Sequence, residues 1–241
     1  MLALAVIPPL YIIYRVYKLD KIEKEPRSLL IKLFFFGILA LIPTLILEIA
    51  AENYIVKGVL QGMDPVFVSL IENFLCVALI EEGCKYWFLK RGSWHDVNFD
   101  YCFDAIVYSV VVSLGFAAVE NIFYVFDYGA NVALIRAVTA IPGHAIFGIF
   151  MGHYYGQAKM QEKIENYYKM IGMPANTGNR ESSKSLLKKS LFIPVMLHGF
   201  YDFTASQNEP VMTIVFYIFI IIMDVVAVKR INRYSREDRP I

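Results

Sequence analysis

Cysteine is scarce: Cys76, Cys84 and Cys102 are the only three in 241 residues. Cys76 and Cys84 lie eight residues apart on one expected helix, ~12 Å along its axis and beyond the reach of a disulfide. Neither a disulfide framework nor a cysteine zinc site follows from that spacing. Charge imbalance is missing too. The net charge is +1, and no basic stripe interleaved with aromatics is present, so nothing points to nucleic acid as a partner. A large polar domain is absent, because the longest connection between apolar runs is under about 35 residues. No internal repeat is visible, which argues against a transporter built from inverted repeats. The first apolar run lacks a basic leader and a small-residue cleavage site, and reads as an uncleaved helix rather than a signal peptide.

What is present is apolar sequence. The chain is 57% hydrophobic and 15% aromatic, with a mean hydropathy of +0.49. Soluble domains sit nearer 45–50% apolar and do not carry repeated runs of about 20 apolar residues. The expectation is an all-α integral membrane protein, a polytopic bundle of about seven transmembrane helices forming one domain over residues 1–241. The spans are Leu2 to Tyr17, short and broken by Pro8-Pro9; Leu29 to Ala50, kinked at Pro43; Val66 to Leu89; Tyr101 to Phe126; Val132 to Gly156; Leu186 to Ala205; and Val211 to Val228.

Between the fifth and sixth spans lies the one long polar segment, about 157–185. Its first half reads as an amphipathic helix and its second, PANTGNRESSKS, as a flexible loop. Lys and Arg gather in alternate connections: Lys18 to Lys32, Lys85 to Arg91, Lys159 to Lys189, and a basic tail over 229–241. With Arg15 these account for all of them except Lys57 and Arg136. The positive-inside rule places those connections in the cytoplasm and the N-terminus outside. The same basic surfaces suit membrane lipids.

Several polar residues fall at membrane depth, where a charge costs ~2.5–3.5 kcal/mol on insertion scales and marks function by default. The third span carries Glu81, Glu82 and Lys85, with the lysine three and four positions on, within reach of either carboxylate. Phe116, Glu120 and Asn121 follow on the fourth. On the fifth, His144 starts a row with Gly148, Gly152 and Gly156 on one face, a pattern that lets another helix press closely. The sixth has His198 and Asp202, four apart, so the carboxylate can orient the imidazole. Counted along these spans, Glu81 and Glu82 fall toward the cytoplasmic half and Glu120 toward the outer half. Each group also has a plain structural reading: an ion-paired knot at Glu81/Glu82/Lys85, a Glu120–Arg136 pair, an interhelical hydrogen bond at His144. His95, in a polar loop, and His153, off the glycine face, are expected to be non-catalytic.

Together EExxK (Glu81, Glu82, Lys85), FxxxE (Phe116, Glu120) and HxxxD (His198, Asp202) resemble the motif set of the PrsW family of intramembrane proteases, distantly related to the CAAX prenyl protease and bacteriocin-processing proteins. The charged N-terminal stretch and the PGHAIFGIFMG segment around His144 are also similar. The likeness covers nearly the whole chain. It implies a multi-pass metallopeptidase of the bacterial plasma membrane that makes the first cut in a single-pass anti-sigma factor during stress signalling. The CAAX enzymes have histidine where this chain has Glu120, so their residue roles do not transfer to that position.

The chemistry fits that resemblance. Hydrolysis inside a bilayer needs a hydrated cavity, a base to activate water and a stabiliser for the oxyanion. Glu81 or Glu82 can serve as base. His144 and His198 with a glutamate such as Glu120 can hold zinc as a two-His, one-carboxylate site. Alternatively, His198 donates to the oxyanion and no metal is needed. Lys85, Asp202, Phe116 and Asn121 are supporting residues. Ser109 and Ser113 make no arguable serine triad. The rival functions are a proton-coupled transporter or channel, because intramembrane carboxylates and histidines also build proton relays, and a catalytically inactive membrane chaperone.

Overall fold

The computed structural model describes residues 2–174 and 180–241. All its regular elements are helices, apart from an isolated antiparallel bridge between Tyr101 and Pro240. In chain order they are α1 (Leu2–Leu19), α2 (Arg27–Ala51, continued by a π-helical segment Glu52–Val59), α3 (Pro65–Ile71), a π-helical segment Glu72–Ala78 running into α4 (Leu79–Ser93), α5 (Asp104–Tyr128), α6 (Ala130–Val138), α7 (Ala140–Met170), α8 (Ser183–Ser206) and α9 (Pro210–Arg236). Merged where they continue into one another, these make the seven long rods expected of a polytopic bundle. Five are long and apolar enough to cross a membrane: Leu2–Leu19, Arg27–Val59, Asp104–Tyr128, Leu134–Met170 and Pro210–Arg236. The other two, Pro65–Ser93 and α8, are diluted by the charged residues of the EExxK and HxxxD segments.

Several expected boundaries move. α1 runs through Pro8 and Pro9 without a break. Each proline removes one helical N–H, but its fixed φ is helical, and backbone groups freed in a membrane helix are re-satisfied locally. The expected fifth span is two helices. The chain breaks at Thr139 (φ −120°, ψ −69°), and α7 then continues unbroken to Met170, absorbing the amphipathic segment that was expected to be separate. Five residues of the expected flexible loop, 175–179, lie outside the described residues, and its last three begin α8 at Ser183. The α2–α3 turn is where its residues predict: Asp64 caps α3 by accepting from the amides of Val66 and Phe67, with Pro65 in the first turn.

α5 is the axis of the bundle. Of its most apolar stretch 78% is buried, against 11% for α9, which lies at the periphery of the bundle. Without a hydrophobic driving force between helices in lipid, close backbone packing decides which ones associate. The His144 face of α7 is pressed against α5 as expected. A Cβ on Gly152 would stand 2.5 Å from the Ala105 carbonyl oxygen, and one on Gly156 2.6 Å from that of Cys102. On the other flank a Cβ on Gly37 of α2 would come closer still to the Val112 carbonyl oxygen of α5. α8 then packs on α7 and on the π-helical segment before α4, where Gly199 lies against the Phe74 ring.

Candidate active site

The acidic pair enters from α4, immediately after the π-helical segment Glu72–Ala78. Such wide turns shift the angular position of every residue that follows and are frequent at functional sites. Glu81, Glu82 and Lys85 are all buried, with Glu82 and Lys85 at 0% exposure. The Lys85 ammonium donates to Glu81 Oε2 at 2.8 Å, to Glu82 Oε1 at 2.8 Å and to His144 Nδ1 at 3.1 Å. Those three bonds exhaust its donors. It also stands 4.1 Å above the centre of the Phe116 ring, so the phenylalanine of FxxxE supplies a cation–π floor.

Lys85 fixes the tautomer of His144. An ammonium can only donate, so Nδ1 accepts and Nε2 carries the proton. That proton goes to Glu120 Oε2 at 2.9 Å. The other Glu120 oxygen is paired with Arg136 Nη2 at 2.8 Å, the partner foreseen in the structural reading of Glu120. Arg136 donates from Nε to Asn121 at 3.1 Å and stacks 3.7 Å from the Tyr124 ring centre. A continuous chain of polar contacts thus links Glu81 to Glu120. α7 starts at Ala140, four residues before His144, and the histidine bridges Lys85 and Glu120.

His198 of α8 stands on the other side of the pair. Its Nδ1 is 3.0 Å from Glu82 Oε1, and its Nε2 is 3.1 Å from Asp202 Oδ2 and 4.0 Å from Glu81 Oε2. A neutral imidazole has one N–H for these acceptors, so this corner calls for a further proton or a cation. Phe147 stacks on the ring at 4.8 Å and 21°, holding its plane.

Whether a metal fits can be judged from the donors. One ligand atom each from Glu81, Glu82 and His198 lies within 4.8 Å of the others, all three residues buried, and Glu82 Oε2 is buried without a hydrogen-bond partner. One imidazole and two carboxylates are acceptable zinc donors, so the residues fit. The grouping differs from the expected set of His144, His198 and Glu120: His144 and Glu120 belong to the same network, but both nitrogens of His144 are engaged by Lys85 and Glu120.

The network borders a cavity of about 480 Å³ lined by Asn73, Glu81, Glu120, His144, His198 and Asp202 among others. A second, of about 400 Å³, lies against Glu48, Glu72, Glu81 and Glu120. Glu81 and Glu120 therefore face both. Asn73, Glu48 and Phe147 had no sequence signal beyond being polar or aromatic within a span. His153 is away from the site, stacked on Tyr234 at 3.9 Å and bonded to Gln157, and His95 makes no contact with the network.

Residues 25–228 match the family model described as PrsW family intramembrane metalloprotease. The chain belongs to the PrsW family. Curated relatives named "Protease PrsW" agree: one from Geobacillus kaustophilus is 32% identical over 87% of this chain and 81% of its own length. Another from Oceanobacillus iheyensis is 31% identical over 96% and 94%, and one from Bacillus subtilis 31% identical over 85% and 83%. No solved structure matches the chain significantly. As a PrsW protein with five helices able to cross a membrane, it is a multi-pass bacterial membrane protease. Glu81, Glu82, Lys85, Phe116, Glu120, His198 and Asp202, the motif residues, are the ones the fold gathers into one contact network around His144.

Proposed function

We propose that this PrsW protein hydrolyses a peptide bond in a single-pass membrane protein of the anti-sigma-factor kind, with water activated by a glutamate beside a zinc ion. The observation that carries this reading is the buried Glu81–Glu82–His198 trio, of which Glu81 and His198 line a cavity of about 480 Å³. Glu81 is the base: it faces both cavities, whereas Glu82 is enclosed and divides its Oε1 between Lys85 and His198. Glu82 holds the trio together, and Lys85 keeps the two like charges adjacent. Asp202 orients His198, as a carboxylate behind a ligand or donor imidazole does. Glu120, gripped by Arg136, fixes His144 and through it the ammonium. Zinc, when held by Glu82 and His198 with Glu81 left free beside it as the base, would supply Lewis acidity toward the scissile carbonyl.

The deciding experiment reconstitutes purified protein with tagged single-span substrates, one an anti-sigma factor, and sequences the products. Cleavage of the anti-sigma factor with close to one zinc per chain, lost on chelation and restored by added metal, is the expected result. His198→Ala should lose metal and rate together. Full activity without stoichiometric zinc would remove the metal and leave a glutamate-base protease. An intact substrate alongside proton-coupled solute uptake would replace the proteolytic reading with transport.

A further inference from the structure

A second set of buried carboxylates lies far from the first. Asp20 in the α1–α2 connection, Glu25 in the same connection and Asp104 at the start of α5 are 2%, 3% and 1% exposed. They offer one ligand atom each within 4.8 Å of one another. Asp104 and Glu120 are both on α5, sixteen residues apart, ~24 Å along the helix, so this cluster is no part of the protease centre.

Among the described residues no ion pair neutralises it. Among the described residues no Lys, Arg or His nitrogen comes within 4.0 Å of these carboxylate oxygens; Lys24, next to Glu25 in sequence, donates instead to the backbone carbonyls of Tyr17 and Asp20. Asp20 Oδ2 is fully buried with no hydrogen-bond partner. Tyr108 places its hydroxyl between Glu25 Oε2 and the Asn98 carbonyl, and Asp104 Oδ2 accepts from the amides of Asp100 and Tyr101. Those contacts satisfy some oxygens but bring no positive charge; Lys24 offsets part of the field at Asp20 without pairing with its carboxylate, while Asp238 and Asp100 add further negative field. Buried carboxylates are paired, protonated or bound to a cation. Oxygen donors alone, without nitrogen or sulfur, select a hard divalent ion.

We propose that Asp20, Glu25 and Asp104 bind a hard divalent cation, Mg²⁺ or Ca²⁺, that ties the α1–α2 connection to the start of α5. The residues it joins sit where the C-terminal segment also docks: the Cys102 amide donates to the Arg239 carbonyl at 3.0 Å and the Phe103 amide to Asp238 at 2.8 Å. A cation here fastens the rim of the bundle to its central helix, which is a structural task separate from hydrolysis.

Mn²⁺, which takes oxygen ligands and is visible by electron paramagnetic resonance, is the probe. The protein used is the full chain carrying Glu82→Gln and His198→Ala, so that the protease centre cannot contribute. One Mn²⁺ should bind per chain and raise the midpoint of thermal unfolding, since a ligand bound to the folded state alone stabilises it. Competition with MgCl₂ and with CaCl₂ in parallel identifies the resident ion by which displaces Mn²⁺ at the lower concentration. Asp20→Asn and Glu25→Gln, added singly, should each weaken Mn²⁺ binding by at least about tenfold, because affinity at such sites follows the count of charged ligands. Tyr108→Phe, which leaves all three carboxylates, should keep it. Absence of bound Mn²⁺ in the Glu82→Gln, His198→Ala protein, which needs no further variant to fold, overturns the proposal, as does binding that survives both Asp20→Asn and Glu25→Gln.

Discussion

At the scale of single residues, the site is a buried charge network, and removing different members has different consequences. Glu81→Gln keeps shape and volume but loses a base, and should lower cleavage by at least ~100-fold with little change in unfolding temperature. Lys85→Met should behave oppositely in the first instance. With Lys85 gone, Glu81 loses its ammonium partner and Glu82 keeps only His198, at 3.0 Å, and breaking a buried pair from one side typically costs ~3–5 kcal/mol. Thermal unfolding in detergent would show a large drop for Lys85→Met and a small one for Glu81→Gln. Equal drops would mean that the glutamate is as structural as the lysine. Asp202→Asn should reduce rate or metal content by ~10–100-fold without abolishing either. These residues were legible in the sequence because a charge in an apolar run is costly wherever it sits. The use of each oxygen was not legible, since the ligand-like grouping of Glu81 and Glu82 with His198 depends on how α8 leans on the π-helical segment, through Gly199 and Phe74.

At the scale of elements, the glycine row on α7 did predict a close neighbour, and the neighbour is α5. Gly152→Ala should therefore separate the two helices that carry His144 and Glu120. A backbone oxygen 2.5 Å from the new methyl cannot swing aside as a side-chain end can, and overpacking of that kind costs ~1–3 kcal/mol. Gly83→Ala is the control: it is one residue from the acidic pair, yet no atom beyond its own helix lies within 4 Å of the added Cβ. Gly152→Ala should lower both stability and cleavage while Gly83→Ala leaves stability unchanged or slightly raised, read by thermal unfolding and the reconstituted cleavage assay. Other element-level features were hidden. Apolar periodicity runs straight through Thr139, where the chain breaks, and the π-helical segments at Glu52–Val59 and Glu72–Ala78 have no residue signature distinct from the α-helix around them.

At the scale of the whole molecule, the basic connections collect at one pole. Lys32 donates to the Gly92 carbonyl at 3.0 Å, Lys159 to that of Trp94 at 2.7 Å and Lys163 to that of Ile241 at 2.9 Å. Segments separated by dozens of residues thus share one rim, as they must if all belong to one side of a membrane. The two cations outside this set are spoken for: Lys57 pairs with Glu52 at 3.1 Å and Arg136 with Glu120. Placing the rim in the cytoplasm puts Asn131 outside and Arg180 inside, both exposed. Cysteines introduced at these positions should react with a membrane-impermeant maleimide from opposite sides, Asn131→Cys in intact cells and Arg180→Cys only after permeabilisation. The native Cys102 interferes little, since burial pushes its thiol up to about 11, leaving about 100-fold less thiolate at neutral pH than an ordinary thiol has. Labelling of both introduced cysteines from the same side would break the seven-span topology, and labelling of Arg180→Cys alone in intact cells would invert it.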